Sequence, residues 1–194
     1  MALFRYASKL KKADKHNYLY KWDFTKSRID EIQGVEATGG TSQSDGLHLT
    51  DVNSYIDLKC GDYSKKYVYE IDVHRMSKNY SGNQHGRFIT LGEDQGLIFR
   101  YNSSKWEVYL YYNWRNSEIT SEIVNDANAF NNKTIKILCN SENKMCFYAN
   151  DVLFYKIPYM APVPTTAIMI GSNRGQSFYN ATISGVRIYK NEEV

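Results

Sequence analysis

From residue 20 to residue 189 the chain is a succession of short runs in which apolar and aromatic residues alternate with polar ones. Each run is closed by a cluster of Gly, Asn, Asp or Ser. Alternation with a period of two places one set of side chains on each face of a pleated strand, so these runs predict half-buried β-strands. The clearest are Tyr20–Phe24, Gly46–Thr50, Tyr67–His74, Arg87–Leu91, Leu97–Tyr101, Trp106–Tyr112, Lys133–Cys139, Lys144–Ala149, Val152–Ile157, Ala167–Ile170 and Ala181–Tyr189. Their spacing of about 8–14 residues suits hairpins and meanders and leaves no room for the crossover helices of a βαβ unit. Helix is expected only as a short basic segment over residues 2–15 and one turn over Asn125–Phe130.

A chain of 194 residues fits one domain with a core large enough to need no metal or disulfide staple. The 17 Tyr, 8 Phe and 3 Trp belong on pleated surfaces and binding faces, which strengthens the all-β reading. Asn150-Asp151, Gly171–Asn173 and Gly92–Gly96 supply turn residues that tolerate positive φ. Pro158, Pro162 and Pro164 fall in one short stretch, so no Pro-rich linker divides the chain.

Charge is distributed unevenly. Residues 1–21 carry Arg5, Lys9, Lys11, Lys12, Lys15 and Lys21 against Asp14, a net +5 within a chain of net +3, so the remainder sums to −2. A near-neutral body with a basic arm points to a separate partner for the arm, and a solvated tail is the alternative. The overall balance is too small to imply nucleic acid. No stretch approaches the roughly 20 apolar residues of a membrane span, and no apolar segment follows the N-terminal charges as in a secretory signal. The four Asn-x-Ser/Thr sequons, at Asn79, Asn102, Asn132 and Asn180, are therefore expected to stay unmodified. Cys60, Cys139 and Cys146 are an odd number, read as a reduced compartment. If Glu142 and Asn143 form a two-residue turn, Cys139 and Cys146 stand opposite one another and a disulfide between them is geometrically open.

The order of the strands carries a resemblance. Trp22–Thr25 followed by Gly46–Leu49 is similar to the first two strands of laminin G-like domains, a branch of the concanavalin A-like lectin/glucanase superfamily. Thr134–Ile137 and then Met145–Leu153 resemble their strand, tyrosine and Asp-Gly turn, with Asn150-Asp151 in the place of Asp-Gly. Ile168–Ser172 and Phe178–Tyr189 resemble the closing strands, ending in Arg-Ile-Tyr. The resemblance implies a two-sheet antiparallel jelly-roll β-sandwich over residues 20–190, a basic arm over 1–19 and a short tail over 191–194. It also implies that the last strand pairs near the first. In such domains sugars, peptides or proteins bind on the concave sheet or at loops along its rim.

The same superfamily contains glucanases with a Glu-x-Asp-x-(x)-Glu strand whose two glutamates act as nucleophile and general acid/base. Glu70-Ile-Asp-Val-His74 is the corresponding run, with Glu70, Asp72 and His74 on one face and Ile71 and Val73 on the other. Retaining hydrolysis needs two carboxyl groups about 5–5.5 Å apart. His74 stands where the second glutamate belongs, so the chain is read as non-catalytic, with a hydrolase using Glu70 and Asp72 the lesser alternative. The histidines (His16, His48, His74 and His85) are scattered, without metal-ligand spacing. No cofactor is expected. Related domains sometimes hold Ca²⁺ through loop carboxylates, for which Asp23, Asp45, Asp94 and Asp151 are candidates without forming a dense oxygen cluster.

For ligand binding, the strand Trp106–Trp114 is the most unusual. Trp106, Val108, Leu110, Tyr112 and Trp114 share one face, and Glu107, Tyr109, Tyr111 and Asn113 the other. Tyr109 and Tyr111, with Trp114, Arg115, His85 and Arg87 from nearby loops and strands, are the candidate carbohydrate-binding residues, because an aromatic ring stacks on a pyranose face while polar neighbours meet its hydroxyls. Cross-strand aromatic packing explains the same residues equally well. The functional expectation is a lectin-like module that binds a cell-surface glycan. It is expected in a phage virion, as an accessory, decoration or adhesion protein that reaches the outside by lysis, either as a homo-oligomer or with other virion proteins. Arg5, Lys9, Lys11, Lys12 and Lys15 are then the docking residues. A purely structural virion protein with no glycan ligand is the alternative.

Overall fold

A computed structural model describes residues 16–50, 54–59, 66–77, 85–91, 95–102, 105–112, 122–124, 128–142, 144–156, 168–171 and 180–193. Fifteen strands occur in them: β1 (Tyr18–Asp23), β2 (Glu36–Thr38), β3 (Gly40–Gln43), β4 (Gly46–Leu49), β5 (Tyr55–Asp57), β6 (Tyr67–Ser77), β7 (His85–Leu91) and β8 (Gln95–Asn102), then β9 (Lys105–Tyr112), β10 (Glu122–Val124), β11 (Lys133–Cys139), β12 (Met145–Ala149), β13 (Val152–Lys156), β14 (Ile168–Gly171) and β15 (Asn180–Lys190). All eleven runs read from the alternation are strands. The four further strands, β2, β3, β5 and β10, have three or four residues each and too short an alternation to stand out in the sequence. A three-residue 3-10 turn, Ile29–Glu31, is the helical element among the described residues. The basic helix expected over 2–15 lies outside them. Of the turn expected at 125–130, residues 128–130 are described and do turn, with Asn131 N–H donating to the Asn128 carbonyl.

Two antiparallel sheets form a jelly-roll sandwich. One runs β13-β12-β11-β6-β15-β4-β3, with β1 also pairing β15, and the other runs β10-β9-β8-β7-β14-β5-β2. In the eight-stranded sheet β15 is flanked along its whole length by β6, while its other side is shared end to end by β4 and β1. First and last strands therefore pair directly, Trp22 opposite Val186 and Tyr18 opposite Tyr189.

The core fills the space between the sheets. Leu47, Leu49, Tyr69, Ile71, Val73, Ile135, Ile137, Phe147, Ile183, Val186 and Ile188 come from the eight-stranded sheet, and Ile56, Phe88, Ile89, Ile168 and Ile170 from the other. Trp22 closes one side, its indole N–H donating to the Gln33 carbonyl at 3.0 Å. Burying side chains of this size stabilises the fold by about 1.5–3 kcal/mol each before the entropy of ordering them is subtracted.

Two hairpins show how the turn residues act. Asn150 and Asp151 both have positive φ, 50° and 64°, and join Ala149 to Val152 directly. That backbone matches the right-handed twist of the strands it joins. Asn150 also ties this hairpin to β11, its side-chain oxygen accepting from Thr134 N–H and its N–H donating to the Thr134 carbonyl. The β11–β12 hairpin differs from the sequence expectation. Asn140 organises a longer turn, its Oδ1 accepting from both Glu142 N–H and Lys144 N–H. The register becomes Cys139 opposite Met145 and Leu138 opposite Cys146. Neighbouring positions on a strand point to opposite faces, so Cys139 lies in the main core and Cys146 on the outer face, and the two thiols do not face one another.

Candidate functional site

The outward face of the eight-stranded sheet gathers the charged and aromatic side chains that the core rejects. On β6 the inward set is Tyr69, Ile71 and Val73, so Val68, Glu70, Asp72 and His74 point outward, as the alternation predicts. Pairing then aligns one residue from each of five strands. Lys21 lies opposite Arg187, Arg187 opposite Glu70, Glu70 opposite Lys136, and Lys136 opposite Tyr148. One row further, Gly185, Asp72 and Thr134 align.

Arg187 is the hub. Its Nε donates to Glu70 Oε2 at 2.8 Å, and its Nη1 and Nη2 donate to the two oxygens of Asp72 at 2.5 and 2.7 Å. Burial opposes its charge, but the hydrogen bonds to Asp72 and Glu70 outweigh that and hold the guanidinium above its ordinary range. Asp72 Oδ1 also accepts from Thr134 Oγ1, and Glu70 Oε1 accepts from the Tyr189 hydroxyl at 2.9 Å. Burial first, then the adjacent Glu70 carboxylate, push Tyr189 far above the usual phenol range, so it remains a donor.

Beside this network lies an apolar strip. Val68, Leu138, Cys146 and Tyr189 are buried although they belong to the outer face, because Tyr18 and Tyr148 pack over them. His16 stacks on Tyr189 with ring centroids 4.2 Å apart, and Tyr18 meets the same ring edge-on. Lys21 Nζ sits over the Tyr18 ring and Lys136 Nζ over the Tyr148 ring, at 4.7 and 4.8 Å. Lys136 is further held by Asp151 from the β12–β13 turn. The result is a patch of tyrosine rings bordered by charged groups whose positions are fixed by one another. Such a patch can stack against a flat apolar surface and offer donors and acceptors around it.

The residues singled out from the sequence fall elsewhere. Tyr109 and Tyr111 lie on β9 and His85 and Arg87 on β7, all in the seven-stranded sheet. The register puts Arg87, Ile98 and Tyr109 in one cross-strand row, with Tyr111 opposite Gly96 and His85 in the row of Arg100 and Glu107. Trp114 and Arg115, like Arg5, Lys9, Lys11, Lys12 and Lys15, lie outside the described residues. Arg187, Tyr189, Thr134, Lys136 and Tyr148 were not singled out. Arg187 and Tyr189 are two apart and so share a face of β15, but the register that sets them against Glu70 spans more than a hundred residues.

Among the described residues no cluster of His, Cys, Asp or Glu is arranged to hold a metal ion. Of the carboxylates considered for calcium, Asp23 caps its own turn through Thr25 and Lys26, Asp45 pairs with His48, and Asp151 with Lys136; Asp94 lies outside the described residues. No described helix is long and apolar enough to cross a membrane.

No protein-family model and no curated protein sequence matches the chain. Solved structures do. The Emp47p carbohydrate recognition domain superposes with a TM-score of 0.59 at 11% identity, covering 89% of this chain and 95% of that one. The potassium-bound Emp46p carbohydrate recognition domain gives 0.59 at 13% identity, covering 90% and 98%. The Bacillus licheniformis β-glucanase gives 0.59 at 15% identity, covering 89% and 98%. The fold is the concanavalin A-like jelly roll, and carbohydrate recognition domains and a β-glucanase share it.

Proposed function

We propose that this chain is a non-catalytic carbohydrate-binding module of lectin form. The observation that carries the reading is the state of Glu70 and Asp72. They occupy the strand whose acidic residues would do glycoside chemistry, yet both are hydrogen-bonded to Arg187 and accept further bonds from Tyr189 and Thr134. A general acid needs a carboxyl free to give its proton to the leaving oxygen. Two carboxylates locked as acceptors suit fixed recognition instead. The position of the absent second glutamate, His74, faces Asp45 rather than a bond to be cleaved. The tyrosine rings and fixed polar groups of the same face support sugar stacking, as does the kinship of fold with carbohydrate recognition domains.

The test is a glycan array followed by titration calorimetry on single variants. Binding lost on Tyr148→Ala places the sugar on the eight-stranded sheet. Binding lost on Tyr109→Ala places it on the seven-stranded sheet, and binding lost on Trp114→Ala places it at the segment that follows β9. Silence across broad arrays removes the lectin reading, and turnover of β-glucans that is abolished by Glu70→Gln restores the hydrolase. We extend the proposal to a phage virion accessory or adhesion protein, docked on the particle by the arm that carries Arg5, Lys9, Lys11, Lys12 and Lys15. The support is the concentration of positive charge in residues 1–21 of an otherwise near-neutral chain. Deleting residues 2–15, which spares His16 and β1, should leave a folded sandwich that no longer co-assembles; co-assembly that survives the deletion removes the docking role.

A further inference from the structure

At the far end of the same outer face, three titratable side chains meet that the proposed function does not use. Ser44 and Asp45 form the two-residue loop between β3 and β4, where Gln43 pairs with Gly46. The Asp45 carboxylate reaches in two directions. Oδ1 is 2.6 Å from His48 Nε2 on β4, and Oδ2 is 3.6 Å from His74 Nε2 on β6. Between those two strands runs β15, which contributes the buried, uncharged Thr182 opposite His48. His74 is available because β6 bulges there. Thr182 pairs with Arg75 and Ile183 with Val73, so His74 is the extra residue.

We propose that Asp45, His48 and His74 form an acid-tightened latch that fastens the β3–β4 hairpin to β6 across β15. The two arms differ in chemistry. At 2.6 Å the His48 contact is a hydrogen bond, which a neutral imidazole N–H already makes and a charged one strengthens. At 3.6 Å the His74 contact lies beyond hydrogen-bond length, so it attracts only when the ring is an imidazolium. The hairpin is thus held by one arm at high pH and by both under mild acid.

Among the described residues, Arg75 follows His74 on β6, Asp72 lies two positions before it and is held by Arg187, β11 places Lys133 opposite Val73, and β15 contributes the uncharged Thr182. The hydrogen bond from His48 holds the Asp45 carboxyl below its ordinary range, so the carboxylate survives into acid. A carboxylate with a lowered pKa contributes above its free value and is lost as pH falls. Both arms therefore act together only where the Asp45 carboxylate is ionised and the His74 ring is protonated.

The experiment is amide hydrogen exchange on the full chain at pH 5.5 and 8.5, corrected for the intrinsic rate, in wild type, His74→Gln and His48→Gln. The His74→Gln chain should lose about two- to fivefold of hairpin protection at pH 5.5 and none at pH 8.5, the size expected of a partly exposed ion pair. The His48→Gln chain should lose protection at both values. An equal effect of His74→Gln at both pH values, or no effect at pH 5.5, overturns the latch. Exposed His74 can be changed without opening the core, so loss of folding does not obscure the result. The outcome is independent of whether the face binds a sugar.

Discussion

Arg187 and Asp72 face each other across the β6–β15 pairing, with Nη1 2.5 Å from Oδ2 and Nη2 2.7 Å from Oδ1. They are not direct register partners, since Asp72 pairs with Gly185 and Arg187 with Glu70. The missing side chain at Gly185 makes the diagonal reach feasible. A Cβ there would stand 3.2 Å from Asp72 Oδ2 and 3.0 Å from the Trp22 carbonyl, so any larger residue would press on the carboxylate and on β1 together. One glycine thus lets a guanidinium hold two carboxylates of the same strand.

Removing the hub should cost more than its partial exposure suggests. Arg187→Ala leaves Glu70 and Asp72 as neighbouring like charges with unmet acceptors, and a loss of about 2–4 kcal/mol is expected, less than for a fully buried pair. Arg187→Lys keeps the charge but cannot span three oxygens in a fixed plane, so it should recover only part of the loss. Urea denaturation of the three chains measures this. A lysine variant as stable as wild type would mean that charge alone, and not the planar fork, matters.

Gly46 and Gly34 both have positive φ, 134° and 74°, but only Gly46 is pressed against neighbouring backbone. A Cβ on Gly46 would lie 2.5 Å from the Ile183 carbonyl oxygen, whereas one on Gly34 meets only the Trp22 ring at 4.0 Å. Gly46→Ala should therefore cost about 2–4 kcal/mol through strain and displacement of β4 from β15, and Gly34→Ala about 1 kcal/mol from backbone conformation alone. Thermal midpoints of the two variants would show the order, and equal midpoints would refute the close approach.

The strands were legible because alternation is a local signal, and it located every strand of four or more residues with a mixed face except β3, whose Gly-Thr-Ser-Gln carries no apolar residue. The closing Arg-Ile-Tyr and the Asn150-Asp151 turn were legible for the same reason. The outer-face site was not. Glu70 and Asp72 were recognised as one face of β6, but their partner Arg187 lies 117 and 115 residues away, and only the sheet order brings it there. The cysteine geometry failed through a single side chain: Asn140 Oδ1 capturing two amides lengthens the turn and shifts the register by one.

That shift makes a chemical prediction. Cys139 and Cys146 sit on opposite faces of adjacent strands, each thiol donating weakly to a backbone carbonyl, Asn140 for one and Lys144 for the other. Burial pushes the Cys146 thiol up, which further lowers its reactivity. A Cys60→Ser chain held under mild oxidant should keep both thiols, read by mass after alkylation in denaturant. A loss of two mass units before alkylation would show the pair bonded and the register wrong.

The acid limb of stability should depend on the β11–β12 turn. Lys156 and Lys144 both reach Glu142 Oε2, at 2.7 and 2.9 Å, and their hydrogen bonds and charges hold its carboxyl down at about 2. A carboxylate with a lowered folded pKa stabilises the native state above its unfolded value, near 4.5, and loses that contribution as pH falls toward 2. Glu142→Gln should therefore flatten the fall in thermal midpoint between pH 4.5 and 2 while leaving stability below pH 2 unchanged. The group is solvent-exposed, so screening applies, and the difference between variant and wild type should shrink in 1 M salt. A difference that persists unchanged in salt would place the effect in turn conformation, where a glutamine and a glutamate differ little, and would remove the ion pairs as its cause.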